Sequence, residues 1–202
     1  MLFSTDHLQL APDIWLLSAY ASSQALTAHI QAIEAQAAFR HYSVPGGKKM
    51  TVAMTSCGAS GWVSDVQGYR YCAHDPLTQA AWPEIPPAFK QLAKEAASAA
   101  GWIGFEPDSC LINRYTSGAG MGLHQDKDEQ DLSAPIVSVS IGATAKFMLG
   151  GLRRADPVKT IDLHDGDVLV WGGAARLIFH GVRPLPKNQT ALRYNLTFRK
   201  AG

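Results

Sequence analysis

The chain has 202 residues, of which 47% are hydrophobic, and its formal net charge at pH 7 is +1. A chain of this length is expected to form one domain that buries about 70% of the surface exposed by its unfolded form. The small net charge argues against a protein that coats nucleic acid by bulk electrostatics, so any nucleic-acid site must be small and local.

The cysteines and the N-terminus indicate a reducing compartment. Cys57, Cys72 and Cys110 are odd in number and have no Cys-x-x-Cys spacing, which argues against a disulfide framework and against a zinc finger. Residues 1–7 contain no basic region followed by an apolar core, and no apolar run is long enough to span a bilayer. We therefore expect a soluble, cytoplasmic protein that has no contact with membranes.

The N-terminal half carries two helical patterns. Apolar residues recur at helical spacing within residues 22–38, behind a Ser-Ser cap. Pro86 and Pro87 open a second helix that ends at Gly101. Between the two helices, a turn that contains Lys48 and Lys49 precedes a short predicted strand at residues 50–55.

Residues 56–76 form a glycine-rich segment that carries Trp62, Tyr69 and Tyr71. Aromatic side chains on such a segment either fold back onto the core or form a lid over a binding site. Composition alone leaves both interpretations open.

The C-terminal half has the pattern of a β protein. Six short strands are separated by turns that contain Gly, Pro and Asp, which is typical of a sandwich or jelly roll. The predicted strands are residues 110–116, 136–141, 146–149, 158–163, 168–171 and 192–198. We expect the two helices to pack outside this single β core.

His124 and Asp126 are two residues apart, and in an extended segment this spacing directs both side chains to the same side of the backbone. His180, which follows an apolar run, is a candidate third ligand. Two histidines and one carboxylate on one face of a metal leave open coordination positions, as in non-haem Fe(II) oxygenases. A solvated acidic loop, or a zinc site with the same ligand types, is the alternative at this point.

The segment 193–199 alternates strictly between polar and apolar residues. As a strand it would place Arg193, Asn195, Thr197 and Arg199 on one face. That face either meets water or lines a barrel interior. In the interior the two guanidinium groups would need anionic partners, because an unpaired buried charge is costly. A small dicarboxylate would supply them, since arginine can bind a carboxylate through two parallel hydrogen bonds.

Several short motifs follow one another in a specific order. They are Asn113-Arg-Tyr115, His124-Gln-Asp126-Lys-Asp128, Gly150-Gly151-Leu152, Asp165-Gly-Asp167, Trp171-Gly-Gly, His180-Gly181 and Arg193-Tyr-Asn195-Leu-Thr-Phe-Arg199. Together they resemble the AlkB family of Fe(II)- and 2-oxoglutarate-dependent dioxygenases. Residues 58–71 also resemble the nucleotide-recognition lid of that family.

The resemblance implies an α+β, mainly β fold, in which a double-stranded β-helix (jelly roll) is the core and the N-terminal helices pack outside it. It also implies a nucleotide-recognition lid. We expect one dioxygenase domain over residues 1–202, with the helices and the lid in residues 1–107 and the jelly-roll core in residues 108–202. The implied cofactors are Fe(II), 2-oxoglutarate as cosubstrate, and dioxygen.

The resemblance also implies roles for individual side chains. Those implied to hold Fe(II) and carry catalysis are His124, Asp126 and His180. Those implied to bind 2-oxoglutarate are Arg193 and Tyr115, at its distal carboxylate, together with Asn113, Asn195 and Arg199. Those implied to contact the substrate are Trp62, which would stack on a flipped base, and Met54, Tyr69, Lys127, Asp128 and Arg154. For Lys127 and Arg154 the alternative is a plain solvated charge.

The implied reaction is repair of alkylated DNA by oxidative demethylation of 1-methyladenine and 3-methylcytosine, which releases formaldehyde, succinate and carbon dioxide. Both lesions are cationic and cannot pair normally, so they cost less to flip out of a stack than intact bases. We expect single-stranded DNA to be preferred over duplex DNA, and the protein to be a monomer without an obligate protein partner. The alternatives are the same chemistry on RNA, hydroxylation of a small molecule, and a non-enzymatic or zinc-binding barrel.

Overall fold

The computed structural model describes residues 7–202, so most of the N-terminal segment that we searched for a targeting sequence lies outside the described residues. Within residues 7–202 there are two α-helices, thirteen strands and a short 3-10 turn at Gly173–Ala175. The helices are α1 (Ser23–Gln36) and α2 (Pro87–Ala99). The strands are β1 (His7–Ala11), β2 (Ile14–Leu17), β3 (Ala53–Gly58), β4 (Gly61–Asp65), β5 (Gly68–Cys72), β6 (Ser109–Tyr115), β7 (Met121–His124), β8 (Ile136–Gly142), β9 (Ala145–Leu149), β10 (Lys159–Leu163), β11 (Val168–Trp171), β12 (His180–Val182) and β13 (Arg193–Arg199).

Both helices lie close to their predicted positions. The buried face of α1 carries Leu26, Ile30 and Ile33, which are spaced as one side of a helix requires. Pro87 begins α2, and Gly101 follows its end with a φ of +100°, a conformation that glycine adopts without steric cost. Between residues 7 and 202, no helix combines the length and the apolar character needed to cross a membrane.

Eleven of the strands form two facing antiparallel sheets, which is the predicted double-stranded β-helix, and β4 and β5 form a separate two-stranded sheet. The large sheet has the order β1-β2-β11-β8-β13-β6-β3, and the small sheet has the order β10-β9-β12-β7. One core cluster joins the two sheets and includes Phe147 and Trp171. A second cluster joins the large sheet to the helices and includes Phe89 and Phe198. The helices therefore pack outside the β core, as predicted.

The alternation of β13 decides where its polar face lies. Leu196 and Phe198 belong to the cluster that faces the helices. Asn195, Thr197 and Arg199 instead line the cavity between the sheets. The interior interpretation of this strand is therefore confirmed.

The β core extends beyond residues 108–202, because β1, β2 and β3 of the N-terminal half complete the large sheet. β3 begins at Ala53, three residues later than predicted, because Met50 and Thr51 bond elsewhere: the Met50 N–H donates to the Tyr42 carbonyl and the Thr51 hydroxyl to the Gly120 carbonyl. β1, β2, β4, β5, β7 and β12 were not predicted from the sequence. The shortest of them, β12, has three residues, which is too few to display an alternation of apolar and polar side chains.

Candidate metal centre and active site

The two candidate histidine ligands come from neighbouring strands of the small sheet. His124 ends β7, His180 begins β12, and the two residues are directly paired in the antiparallel register. Their ring centroids are 4.4 Å apart. Asp126 lies two residues beyond His124, and the candidate ligand atoms of the three residues all lie within 4.8 Å of one another. The structure thus brings together the triad predicted from sequence.

Main-chain carbonyls orient both imidazoles toward a common point. The Nδ1 atom of His124 lies 2.9 Å from the Gly122 carbonyl, and that of His180 lies 3.2 Å from the Ile178 carbonyl. Because a carbonyl can only accept, Nδ1 carries the proton and Nε2 keeps its lone pair. The Nε2 atoms lie 3.6 and 3.7 Å from the two carboxylate oxygens of Asp126. This arrangement suits a divalent cation, which binds neutral imidazole through the free nitrogen.

The protonation states also fit a metal. Burial and the adjacent His124 lower the pKa of His180 to about 4, so its imidazole is neutral at pH 7. Burial raises the pKa of Asp126, but Arg199 and the two histidines outweigh burial and hold that pKa well below its usual range. Asp126 and His180 therefore present their ligand atoms in the deprotonated forms that metal binding requires.

Arg193 is a buried cation that forms no salt bridge within the described part of the chain, although the carboxylate of Asp167 is near enough to favour its charge. Its side chain is only 1% exposed, and its guanidinium donates to the Ser140 hydroxyl at 3.0 Å and to the Ala143 carbonyl at 3.3 Å. The Nε atom has no hydrogen-bond partner. The guanidinium carbon lies 5.9 Å from the ring centre of Tyr115, which lines the inter-sheet cavity. Such a charge requires an anion, and a dicarboxylate that enters past Tyr115 would supply one.

Arg199 differs from Arg193, because the protein itself supplies its anions. It donates to Asp126 Oδ2 at 2.6 Å, and its Nε lies 3.2 Å from Glu129 Oε1. Arg199 therefore has anionic partners without a bound dicarboxylate, while its predicted contact with 2-oxoglutarate stays a prediction. Arg199 holds one oxygen of the candidate metal ligand Asp126.

The remaining predicted residues surround one cavity of about 610 Å³. Every predicted site residue except Arg193 lines it. Its buried lining includes Asn113, Tyr115 and Asn195. The side-chain amide of Asn195 donates to Ser138 Oγ at 2.7 Å. Its more exposed lining consists of Trp62, Tyr69, Lys127, Asp128 and Arg154, with Lys48 and Lys49 of the turn that precedes β3, whereas Met54 lines it as a buried residue.

The glycine-rich segment forms the hairpin β4–β5, in which Trp62 is paired with Tyr71. Val63 is buried, whereas Trp62 is partly exposed and lines the cavity, so the hairpin packs on the core and also borders the candidate site. Trp62 stacks on Tyr69 with 5.6 Å between ring centres, and its Nε1 donates to Asp128 Oδ2 at 2.9 Å. The interpretation that the segment folds onto the core is therefore confirmed, while its role as a lid stays a prediction.

Sequence analysis missed a buried charged network beside the triad. Glu129 lies between Arg199 and Arg176, whose Nη2 donates to Glu129 Oε2 at 3.0 Å. Tyr71 of the hairpin donates to Glu129 Oε1 at 2.7 Å; burial raises the pKa of Tyr71, so this hydroxyl keeps its proton. The acidic run 126–131 could have drawn attention to Glu129, but nothing in the sequence distinguishes its buried carboxylate from solvated ones.

Comparison with known proteins identifies the family. The profile of the 2OG-Fe(II) oxygenase superfamily matches residues 13–199. The chain is 50% identical to the alpha-ketoglutarate-dependent dioxygenase AlkB of Salmonella typhimurium over 199 residues, which cover 96% of this chain and 92% of the relative. It is 51% identical to AlkB of Escherichia coli over 188 residues, which cover 91% and 87% of the two chains.

The chain belongs to the AlkB family of 2OG-Fe(II) oxygenases. The solved structure of OsALKBH1 has the same fold: its TM-score is 0.84 at 30% identity, with 96% of this chain and 100% of that chain covered. The AlkB-family protein is therefore a dioxygenase that uses Fe(II), 2-oxoglutarate and dioxygen. This membership decides against the zinc-binding and non-enzymatic barrels that ligand types alone left open.

Proposed function

We propose that this dioxygenase repairs alkylated DNA by oxidising the methyl groups of 1-methyladenine and 3-methylcytosine, with release of formaldehyde, succinate and carbon dioxide. The observation that carries the proposal is that the His124, Asp126 and His180 cluster opens into a cavity bordered by an aromatic hairpin and by cationic side chains. The relatives named alpha-ketoglutarate-dependent dioxygenase AlkB support this class of reaction.

We assign the metal to the triad and the cosubstrate to the large sheet. His124, Asp126 and His180 would hold Fe(II), and Arg193 with Tyr115 would bind the distal carboxylate of 2-oxoglutarate. The residues that would hold the rest of the cosubstrate are Asn113, Asn195 and Arg199. When bound, Fe(II) and 2-oxoglutarate supply the oxidation by dioxygen, while the protein orients the reactants and excludes water. The burial of Arg193 without a salt bridge supports this assignment, because a bound carboxylate would give its guanidinium a direct anionic partner.

The cavity mouth suits a cationic base. Trp62 and His124 both line the cavity and would flank a flipped base. A cation over an indole face gains roughly 0.5–2 kcal/mol. Asp128, which Trp62 already holds through one carboxylate oxygen, adds a negative charge beside the base. Met54 borders the same space and would contact the base edge.

The cationic residues at the mouth suit the phosphates of one strand. Lys48, Lys49, Lys127 and Arg154 line the cavity, although the whole chain carries a net charge of only +1. Arg154 is held at this position because its Nη1 donates to the Leu123 carbonyl at 2.9 Å and its guanidinium lies over Phe179. Tyr69 is a further candidate for a phosphate or sugar contact. We propose a preference for single-stranded over duplex DNA, because a base in a single strand reaches the site without being unpaired. We further propose that the protein acts as a cytoplasmic monomer without an obligate protein partner.

The test is formaldehyde release from an oligonucleotide that contains 1-methyladenine, in the presence of Fe(II), ascorbate and 2-oxoglutarate. We expect His124→Ala to abolish release and Arg193→Ala to raise the required 2-oxoglutarate concentration roughly 100-fold, the effect of losing an ion pair worth ~3 kcal/mol. Arg183→Ala, which removes an exposed guanidinium, is the matched control. Formaldehyde release by His124→Ala, together with an unchanged 2-oxoglutarate requirement in Arg193→Ala, would contradict the assignment.

The same assay compares sugars and strands. Single-stranded DNA, duplex DNA and RNA that carry the same methylated base are offered separately at equal concentration. Faster turnover of the RNA would replace DNA repair by RNA demethylation as the function. Oxidation of the free nucleoside at the rate of the oligonucleotide would argue against any role for the cationic mouth.

A further inference from the structure

Two adjacent hydrogen bonds attach the β4–β5 hairpin to the loop that carries Asp126. Trp62 and Tyr71 are paired across the hairpin, so their side chains share one face. They bond to consecutive residues of the loop: Trp62 donates to Asp128 at 2.9 Å and Tyr71 donates to Glu129 at 2.7 Å. The hairpin that borders the substrate cavity is thus fixed directly to the segment that follows the candidate metal ligand.

Glu129 connects this attachment to Asp126 through two arginines. Its carboxylate contacts Arg199 Nε at 3.2 Å and Arg176 Nη2 at 3.0 Å. Arg199 donates to the side chain of Asp126 at 2.6 Å, and Arg176 donates to the main-chain carbonyl of Asp126, also at 2.6 Å. Both the carboxylate and the backbone of Asp126 are therefore held by cations that Glu129 holds in turn.

The network is buried and charge-balanced, which makes its geometry well defined. Asp126, Glu129, Arg176 and Arg199 are each at most 9% exposed, and their two negative and two positive charges compensate one another. Tyr71 Oη also lies 3.3 Å from Arg199 Nη1, so it contacts both Glu129 and Arg199. A displacement of the hairpin removes a partner from both of these buried ions, and ions in a low-dielectric interior respond strongly to such a loss.

We propose that Tyr71 and Glu129 are positioning residues that couple the placement of the β4–β5 hairpin to the orientation of Asp126. With the hairpin closed over the cavity, Tyr71 contacts both Glu129 and Arg199, and Arg199 holds Asp126 in its ligating position. With the hairpin displaced, Glu129 and Arg199 lose this contact, and Asp126 is held less firmly. The metal centre is then fully assembled only beneath a closed hairpin. This coupling rests on Asp126 as a metal ligand and not on which nucleic acid enters the cavity.

A purely structural network and a coupling network differ in one measurable respect. A structural network stabilises the fold to the same extent with or without ligands. Coupling is reciprocal: if the hairpin supports the metal site, then loading the metal site must stabilise the hairpin by the same free energy. The test therefore measures the hairpin while the metal site is filled or left empty.

The experiment compares wild type, Tyr71→Phe and Tyr69→Phe by amide hydrogen exchange of residues 61–72, each with and without Co(II) and 2-oxoglutarate. Co(II) replaces Fe(II) so that no turnover occurs. Tyr69→Phe is the matched control, because Tyr69 lies on the same strand and face and its hydroxyl has no hydrogen bond within residues 7–202. Co(II) affinity is measured on the same samples by titration of the ligand-field absorption.

We expect Tyr71→Phe to speed hairpin exchange about tenfold, the factor that corresponds to loss of one hydrogen bond to a charged acceptor. Its Co(II) affinity should fall about fivefold to tenfold, at the lower end for a residue that supports a metal ligand indirectly. Loading with Co(II) and 2-oxoglutarate should slow hairpin exchange in wild type and in Tyr69→Phe but leave it unchanged in Tyr71→Phe.

Equal protection of the hairpin in Tyr71→Phe and wild type would overturn the proposal, as would an unchanged Co(II) affinity. Glu129→Gln should reproduce both effects of Tyr71→Phe if it folds. Tyr71→Phe decides the question in either case, since it alters no buried charge. No nucleic acid is present, so failure of the demethylation assay and failure of this test are distinguishable.

Discussion

Replacing Arg193 with methionine should stabilise the ligand-free protein and raise the 2-oxoglutarate concentration that it needs roughly 100-fold. The guanidinium is 1% exposed, makes two hydrogen bonds and leaves Nε without a partner. Methionine retains most of the side-chain volume but carries no charge. The variant therefore removes the cost of burying an unpaired ion while the core remains filled.

The magnitude follows from two opposing contributions. Burying an ion without a counter-charge costs several kcal/mol, and the two hydrogen bonds of Arg193 return together about 1–3 kcal/mol. Arg193→Met should thus raise the free energy of unfolding without ligand by about 1–3 kcal/mol. At a 2-oxoglutarate concentration of 100 times the wild-type Kd, wild type gains about 2.7 kcal/mol and a variant that binds about 100-fold more weakly gains about 0.4 kcal/mol, so the difference in stability between the two proteins should shrink to near zero or reverse.

Urea unfolding in the presence of Co(II), with and without 2-oxoglutarate, measures both quantities. Arg183→Met, at an exposed position, should change stability by no more than about 0.5 kcal/mol. The reasoning is refuted if Arg193→Met destabilises the ligand-free protein, or if 2-oxoglutarate stabilises the variant as much as wild type.

Three further predictions follow from other parts of the site and the fold. In Gly181→Ala the added Cβ would lie 2.6 Å from the Met121 carbonyl oxygen, and this clash would force β12 away from β7. We expect the Co(II) affinity, measured by titration, to fall at least about tenfold. An unchanged affinity would contradict the pairing of the two histidines. Trp62→Ala should weaken binding of an oligonucleotide that contains 1-methyladenine by about 10-fold to 100-fold in an anisotropy titration, and an equal loss for an unmethylated strand would show that cation recognition is not involved. Asp75→Asn should destabilise the protein by about 2–4 kcal/mol at pH 7 because it breaks the buried pair with Arg40. Burial raises the pKa of Asp75, but Arg40 outweighs burial and keeps that pKa below its usual value. The stabilisation by this pair is therefore present above pH ~4 and is lost as pH falls through the lowered pKa. Urea unfolding at pH 7 and pH 3 checks that the difference in stability between variant and wild type shrinks at low pH.

The sequence by itself determined those helices and strands whose apolar and polar residues alternate or recur at regular spacing. The apolar spacing of α1, the proline and glycine around α2, and the alternation of β13 each predicted an element that the structure contains. The ordered motifs around His124 and His180 predicted the triad, since they specify residue types at set separations. These features were readable because each depends on side chains that are near neighbours in sequence.

Tertiary structure alone decided which charges meet. The sequence of β13 could not distinguish Arg193 from Arg199, yet Arg199 forms salt bridges with Asp126 and Glu129, while Arg193 is buried without a salt bridge to any described residue. Tyr71 reaches Glu129 across 58 residues, and Arg176 reaches it across 47. Such pairings depend on how β5, β13 and the 173–176 turn are brought together by the two sheets. The physical reason is that electrostatic partners are selected by distance in space and by burial, and neither quantity is encoded in local periodicity.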